Sequence, residues 1–153
     1  MAVDIGGRLD FLWGLAAAIP PLVFGGIATS PWGLRFAPLK RIFLALERSP
    51  LGDFIRQGDW AHFAVLAAFA GLGEELLFRG VLQPKIGLLL SALVFGLLHA
   101  LTPTYFIAAT ILGLYMGGLT EWMGGSIGAA AATHALYDFV VLVLYQRRIR
   151  AAA

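Results

Sequence analysis

The chain has 153 residues and a formal net charge of +2; 59% of its residues are hydrophobic and only 13% charged, with a mean hydropathy of +0.82. A soluble domain carries about twice that charged fraction, so the sequence is that of a membrane protein, and it offers no basic footprint for nucleic acid. With no cysteine, disulfides and thiolate metal sites are excluded.

Five apolar stretches approach the length of about 20 residues that a membrane helix needs. The first runs from about Phe11 to Ala28 and contains Pro20-Pro21, which should kink it. Its leader "MAVDIGGRLD" carries acids and a single arginine, against the basic pattern of a cleaved signal, so it reads as a retained anchor. The second runs from about Trp60 to Gln83 and should end at Pro84-Lys85. The third, about Ile86 to Ala100, is short; the fourth covers about Thr104 to Trp122 and the fifth about Ser126 to Tyr145. Together they predict an all-α, multi-span bundle forming one integral-membrane domain over residues 1–153, without internal repeats or a low-complexity linker.

Between the first two spans, "RFAPLKRIFLALERSPLGDFIRQGDW" predicts an amphipathic interfacial segment. Ile42, Phe43, Leu46, Phe54 and Ile55 supply apolar faces, and Arg35, Lys40, Arg41, Arg48 and Arg56 reach toward headgroups. With Arg147, Arg148 and Arg150, eight of the eleven Lys and Arg fall on one side if five spans alternate. The positive-inside rule then puts residues 30–59 and the C-terminus in the cytoplasm of a bacterial-type plasma membrane.

Against this apolar background, charges at membrane depth cost several kcal/mol unless they are paired or wet, so they mark function. In "GEELLFRG", Glu75 and Arg79 are spaced i,i+4 and pair on one helical face, whereas Glu74 is turned about 100° away and stays available. "FGLLHA" puts His99 one turn after Phe95, and "HALYDF" puts His134 and Asp138 on one face. With a turn at Pro84-Lys85, the 1.5 Å helical rise puts Glu74 about 15 Å, His99 about 21 Å and His134 about 13 Å into a core about 30 Å thick, where they can share one cavity. Small residues in "AAFAGLGEE" and "GGSIGAAAATHALYDF" allow close helix approach beside them.

Such a set suits hydrolysis. A carboxylate and a histidine deprotonate a water for attack on an amide carbonyl, and a second histidine with a polar partner stabilises the oxyanion. A Cys nucleophile and an HExxH zinc helix are both absent from the sequence.

The ordered motifs "EELLFR", "FGLLH" and "HALYD" resemble the EExxxR, FxxxH and HxxxN/D motifs of the CAAX protease and bacteriocin-processing family, intramembrane endopeptidases that include the CAAX prenyl endopeptidases. The resemblance covers Glu74 to Asp138. It implies that Glu74 activates water together with His99, that Glu75 and Arg79 support the site, and that His134 and Asp138 bind the oxyanion or its orienting groups. Asp138 departs from the asparagine often found there, which suits it to orienting His134 or to a metal, since a carboxylate does not donate. Implied partners are a peptide or protein substrate, prenylated or not, and the lipid bilayer. The reading requires no cofactor, although Glu74, His99 and His134 would equally suit a divalent metal such as zinc, with an open position for water. A proton-coupled transporter or a non-catalytic scaffold or immunity-type protein are the alternatives; paired repeats, expected of many transporters, are not visible.

Overall fold

In a computed structural model, which describes residues 3–152, the chain is a bundle of α-helices with no strand among the described residues. Met1, Ala2 and Ala153, the ends of the expected domain, lie outside them. Helices α1 (Arg8–Ala17) and α2 (Ile19–Thr29) form one 22-residue apolar stretch bent at Ala18. Pro20 and Pro21, in the first turn of α2, explain the bend: neither can donate back to α1.

The basic segment folds into α3 (Ala37–Glu47) and α4 (Pro50–Gln57), the latter capped by Ser49. Its five bases are exposed, while Phe43, Leu46 and Phe54 pack on a buried cluster of Ile55, Phe63, Tyr145 and Ile149. The apolar faces of this segment, expected from the sequence to meet the membrane surface, therefore pack on the bundle. Helix α5 (Trp60–Glu75) starts at Asp59, whose carboxylate takes the His62 amide at 3.0 Å and the His62 ring at 2.8 Å; these bonds hold its pKa below the usual carboxylate value.

Past α5 the helix widens into a π-helix, Leu76–Leu82, and continues as α6 (Gln83–Leu98). The chain does not turn at Pro84-Lys85. It reverses at Gly87, whose φ of 81° and ψ of 164° suit only glycine. The reversal brings Phe78 and Phe95 together, ring centroids 5.0 Å apart, and lets the Ser91 hydroxyl donate to the Phe78 carbonyl at 3.2 Å. Pro84 is accommodated because the wide turn upstream eases the clash its ring would make with the carbonyl four residues back.

Helix α7 (Pro103–Trp122), capped by Thr102, packs along α6, and α8 (Gly128–Ala152) touches α1, α2, α4, α5 and α7. Gly71 sets the α5–α8 approach: a Cβ there would lie 2.7 Å from the Ala135 amide nitrogen. Gln146 ties α8 to the carbonyls of Ile55 and Gly58 at 2.6 and 2.8 Å, and Arg148 Nε donates to Thr29 at 3.0 Å. The C-terminal bases and the basic segment thus meet at one end of the bundle.

Three stretches, Arg8–Thr29, Trp60–Leu98 and Gly128–Ala151, are long and apolar enough to cross a membrane. The expected second and third spans are the two arms of the 39-residue stretch folded at Gly87. The expected fourth span, α7, is outside this set: three Thr, three Gly and Glu121 dilute its 20 residues. Exposed apolar side chains such as Leu9 (72%), Phe69 (77%) and Leu98 (70%) face outward as lipid contact requires. The protein is an integral membrane protein.

Candidate active site

Gly87 levels the two arms: Glu74 lies thirteen residues before it and His99 twelve after. The unequal depths expected from a turn at Pro84-Lys85 therefore disappear, and His99 Nε2 comes to 3.8 Å from Glu74 Oε2. His99 is not inside a helix as its spacing suggested. It caps α6, its ring stacked on Phe95 with centroids 4.4 Å apart and Nδ1 2.8 Å from the Phe95 carbonyl. Since a carbonyl only accepts, Nδ1 carries a proton, and Nε2 is the nitrogen that faces Glu74.

On α8, packed antiparallel to α5, His134 is 3% exposed. Its Nε2 lies 3.9 Å from Glu74 Oε2 and 3.5 Å from Asp138 Oδ2, and its Nδ1 lies 2.8 Å from Glu75 Oε1. The short contact that orients His134 is therefore to Glu75, not to Asp138, which the sequence had suggested for that task. Glu75, fully buried, also receives Arg79 at 3.0 Å. One carboxylate thus joins the π-helix to α8.

Arg79, 3% exposed, spends its other terminal nitrogen on the Gly113 carbonyl of α7 at 2.8 Å and lies over the Phe95 ring at 5.0 Å. Gln83, one turn further, bonds the Gly117 carbonyl and Glu121, both at 3.1 Å. These contacts fasten the π-helix to α7. The Glu74 side chain is one-third exposed, but its Oε2, the oxygen that faces both histidines, is itself buried and has no hydrogen-bond partner.

The sequence reading missed Tyr105, whose ring stands edge-on to His99 with centroids 6.2 Å apart. It also missed Gly113, whose contribution is a main-chain carbonyl and leaves no side-chain signal. At 3.8 and 3.9 Å the two Nε2 atoms are too far from Glu74 Oε2 for direct hydrogen bonds. Two ligands of one tetrahedral zinc would stand about 3.3 Å apart. Among the described residues no group of three or more His, Asp or Glu side chains has the geometry to hold a metal ion, so Glu74, His99 and His134 as arranged do not form a metal cage.

A helical membrane protein with a buried Glu–Arg pair and two histidines gathered around a second glutamate is the class this architecture defines. Residues 56–140 match the model of the Type II CAAX prenyl endopeptidase Rce1-like family, and the chain belongs to that family. It is also similar to Uncharacterized protein YpbD of Bacillus subtilis (strain 168), 34% identical over 82 residues that make up 52% of this chain and 43% of the relative. The match thus spans less than half the length of that relative. No solved structure matches the chain.

Proposed function

We propose that residues 1–153 act as one intramembrane endopeptidase domain that hydrolyses a peptide bond with a water activated by Glu74 and His99. The observation that carries this reading is the convergence of the His99 and His134 Nε2 atoms on Glu74 Oε2 at 3.8 and 3.9 Å inside an apolar bundle. Glu74 takes a proton from the shared water, with His99 Nε2 accepting the water's other hydrogen bond. The oxygen adds to the scissile carbonyl carbon, and the carbonyl π electrons move to its oxygen. His134, fixed through Nδ1 by Glu75, presents Nε2–H to that oxyanion in its imidazolium form, with Asp138 beside it. Glu74 then passes its proton to the leaving nitrogen as the C–N bond breaks, which completes hydrolysis without a covalent enzyme intermediate. Arg79 holds Glu75 and so acts through His134. Substrates are membrane-associated peptides, prenylated or not, and the basic end of the bundle faces the cytoplasm.

The test is cleavage of labelled peptides, with and without a prenyl group, by purified protein in detergent. Wild type should cleave. Glu74→Gln, nearly isosteric, should lose about 10²- to 10⁴-fold in turnover, the usual contribution of a general base, with an unchanged apparent Tm. Retention of more than about a tenth of wild-type turnover would contradict the assigned role, as would a wild type that cleaves no peptide.

A further inference from the structure

We propose that Tyr105 is a catalytic residue of this site, its hydroxyl donating a hydrogen bond to the oxyanion formed on the substrate carbonyl. The inference rests on the endopeptidase reading above and adds a donor that the sequence motifs do not contain. The need for one is specific to this chain. His134 Nδ1 is committed to Glu75 at 2.8 Å, so its Nε2 donates only while the ring is charged. Asp138, where an asparagine amide would donate, has a carboxylate that accepts. A neutral donor must come from elsewhere.

Four tyrosines are available, and two have structural duties. Tyr115 donates to the Ala17 carbonyl at 2.6 Å, and Tyr145 donates to the Phe43 carbonyl. Tyr105 and Tyr137 make no side-chain hydrogen bond among the described residues. Of these two, it is Tyr105 whose ring packs against a histidine of the site, His99, with centroids 6.2 Å apart. Its ring stands at 89° to the His99 ring, which places α7 against this edge of the site.

Its placement is rigid. Tyr105 lies in the first turn of α7, where Thr102 Oγ1 accepts its backbone amide at 3.1 Å and Pro103 fixes the entry of the helix. A donor held in advance of the reaction stabilises the oxyanion without reorganisation, the condition under which such groups contribute most.

Wild type, Tyr105→Phe, Tyr115→Phe, Glu74→Gln and the double variant Tyr105→Phe/Asp138→Asn should be assayed together, with kcat, KM and apparent Tm for each. Tyr105→Phe should lower kcat by about 10²- to 10³-fold, the loss typical of one oxyanion donor, with KM within about threefold and Tm unchanged. Tyr115→Phe should keep kcat. In the double variant the asparagine amide supplies a donor, and about tenfold or more of the lost kcat should return. If wild type cleaves and Glu74→Gln does not, yet Tyr105→Phe keeps kcat within about threefold, the Tyr105 role is overturned while the endopeptidase reading stands. A double variant no faster than Tyr105→Phe also overturns it. A wild type without cleavage, or an active Glu74→Gln, overturns both.

Discussion

Replacing Arg79 by methionine keeps the apolar stem and removes the guanidinium, and the consequences follow from its surroundings. Glu75 is fully buried and would lose its 3.0 Å partner, and the Gly113 carbonyl would lose a donor at 2.8 Å. Breaking a buried ion pair by deleting one side costs about 3–5 kcal/mol, because the remaining charge stays desolvated. His134 still holds Glu75 Oε1 at 2.8 Å, which favours the lower part of that range. The guanidinium also leaves the Phe95 ring 5.0 Å away, which adds a cation–π loss of about 0.5–2 kcal/mol. At about 2–4 °C per kcal/mol for a chain of this size, the ion-pair term alone lowers the apparent Tm by about 6–20 °C. Thermal unfolding in detergent, followed by the far-UV helical signal, measures it. The double variant Arg79→Met/Glu75→Gln removes both charges and should recover at least about half of the loss. A single variant within about 2 °C of wild type, or a double variant no more stable than the single, would refute the claim that the buried charge is what the arginine relieves.

Gly71→Val should separate α5 from α8, because its Cβ would meet Ala135 backbone at 2.7 Å; overpacking of this kind costs about 1–3 kcal/mol and should lower turnover too, as the Glu75–His134 contact spans the same two helices. Gly73→Ala, with nothing within 4 Å of its added Cβ, is the control and should not lower the wild-type Tm, since alanine favours the helix. A topology reporter fused after Arg148 should read as cytoplasmic, and an outward-facing reporter would reverse the proposed orientation.

The sequence was most informative where the geometry is local. The i,i+4 spacing of Glu75 and Arg79 made their pairing legible, since it needs only one helix, and the same holds for His99 on Phe95 and His134 near Asp138. The turn was misplaced because Pro84 is a louder local signal than a glycine in an apolar run. A proline bars a regular α-helix, but a π-helix had already widened this one, and only the positive φ at Gly87 marks the true reversal. The Glu75–His134 contact depends on the register of α5 against α8, fixed by Gly71 and Ala135 some sixty residues apart in sequence. Tyr105 was invisible for another reason: one aromatic among many in an apolar stretch carries no mark of the histidine it faces.

The break between α6 and α7 lies beside Glu74 and carries a backbone cost. Glu74 lies fourteen residues after Trp60 and thirteen before Gly87, so it sits midway along the long arm, and His99 is level with it. Helix α6 therefore stops at mid-depth, and four residues outside any helix, His99 to Thr102, separate it from α7. Irregular backbone at that depth is tolerated where protein buries it or where it lines a wet cavity, because a freed peptide group in hydrocarbon costs several kcal/mol. The amides of His99, Ala100 and Leu101 are satisfied by the carbonyls of Gly96, Leu97 and His99 at 3.1, 3.2 and 2.8 Å. These local bonds meet the backbone's needs at the break, while the apolar Leu101 side chain, 51% exposed, faces outward. The interruption of the helix thus has a geometric consequence: by ending α6 at His99 it carries that ring to Glu74, Nε2 3.8 Å from Oε2.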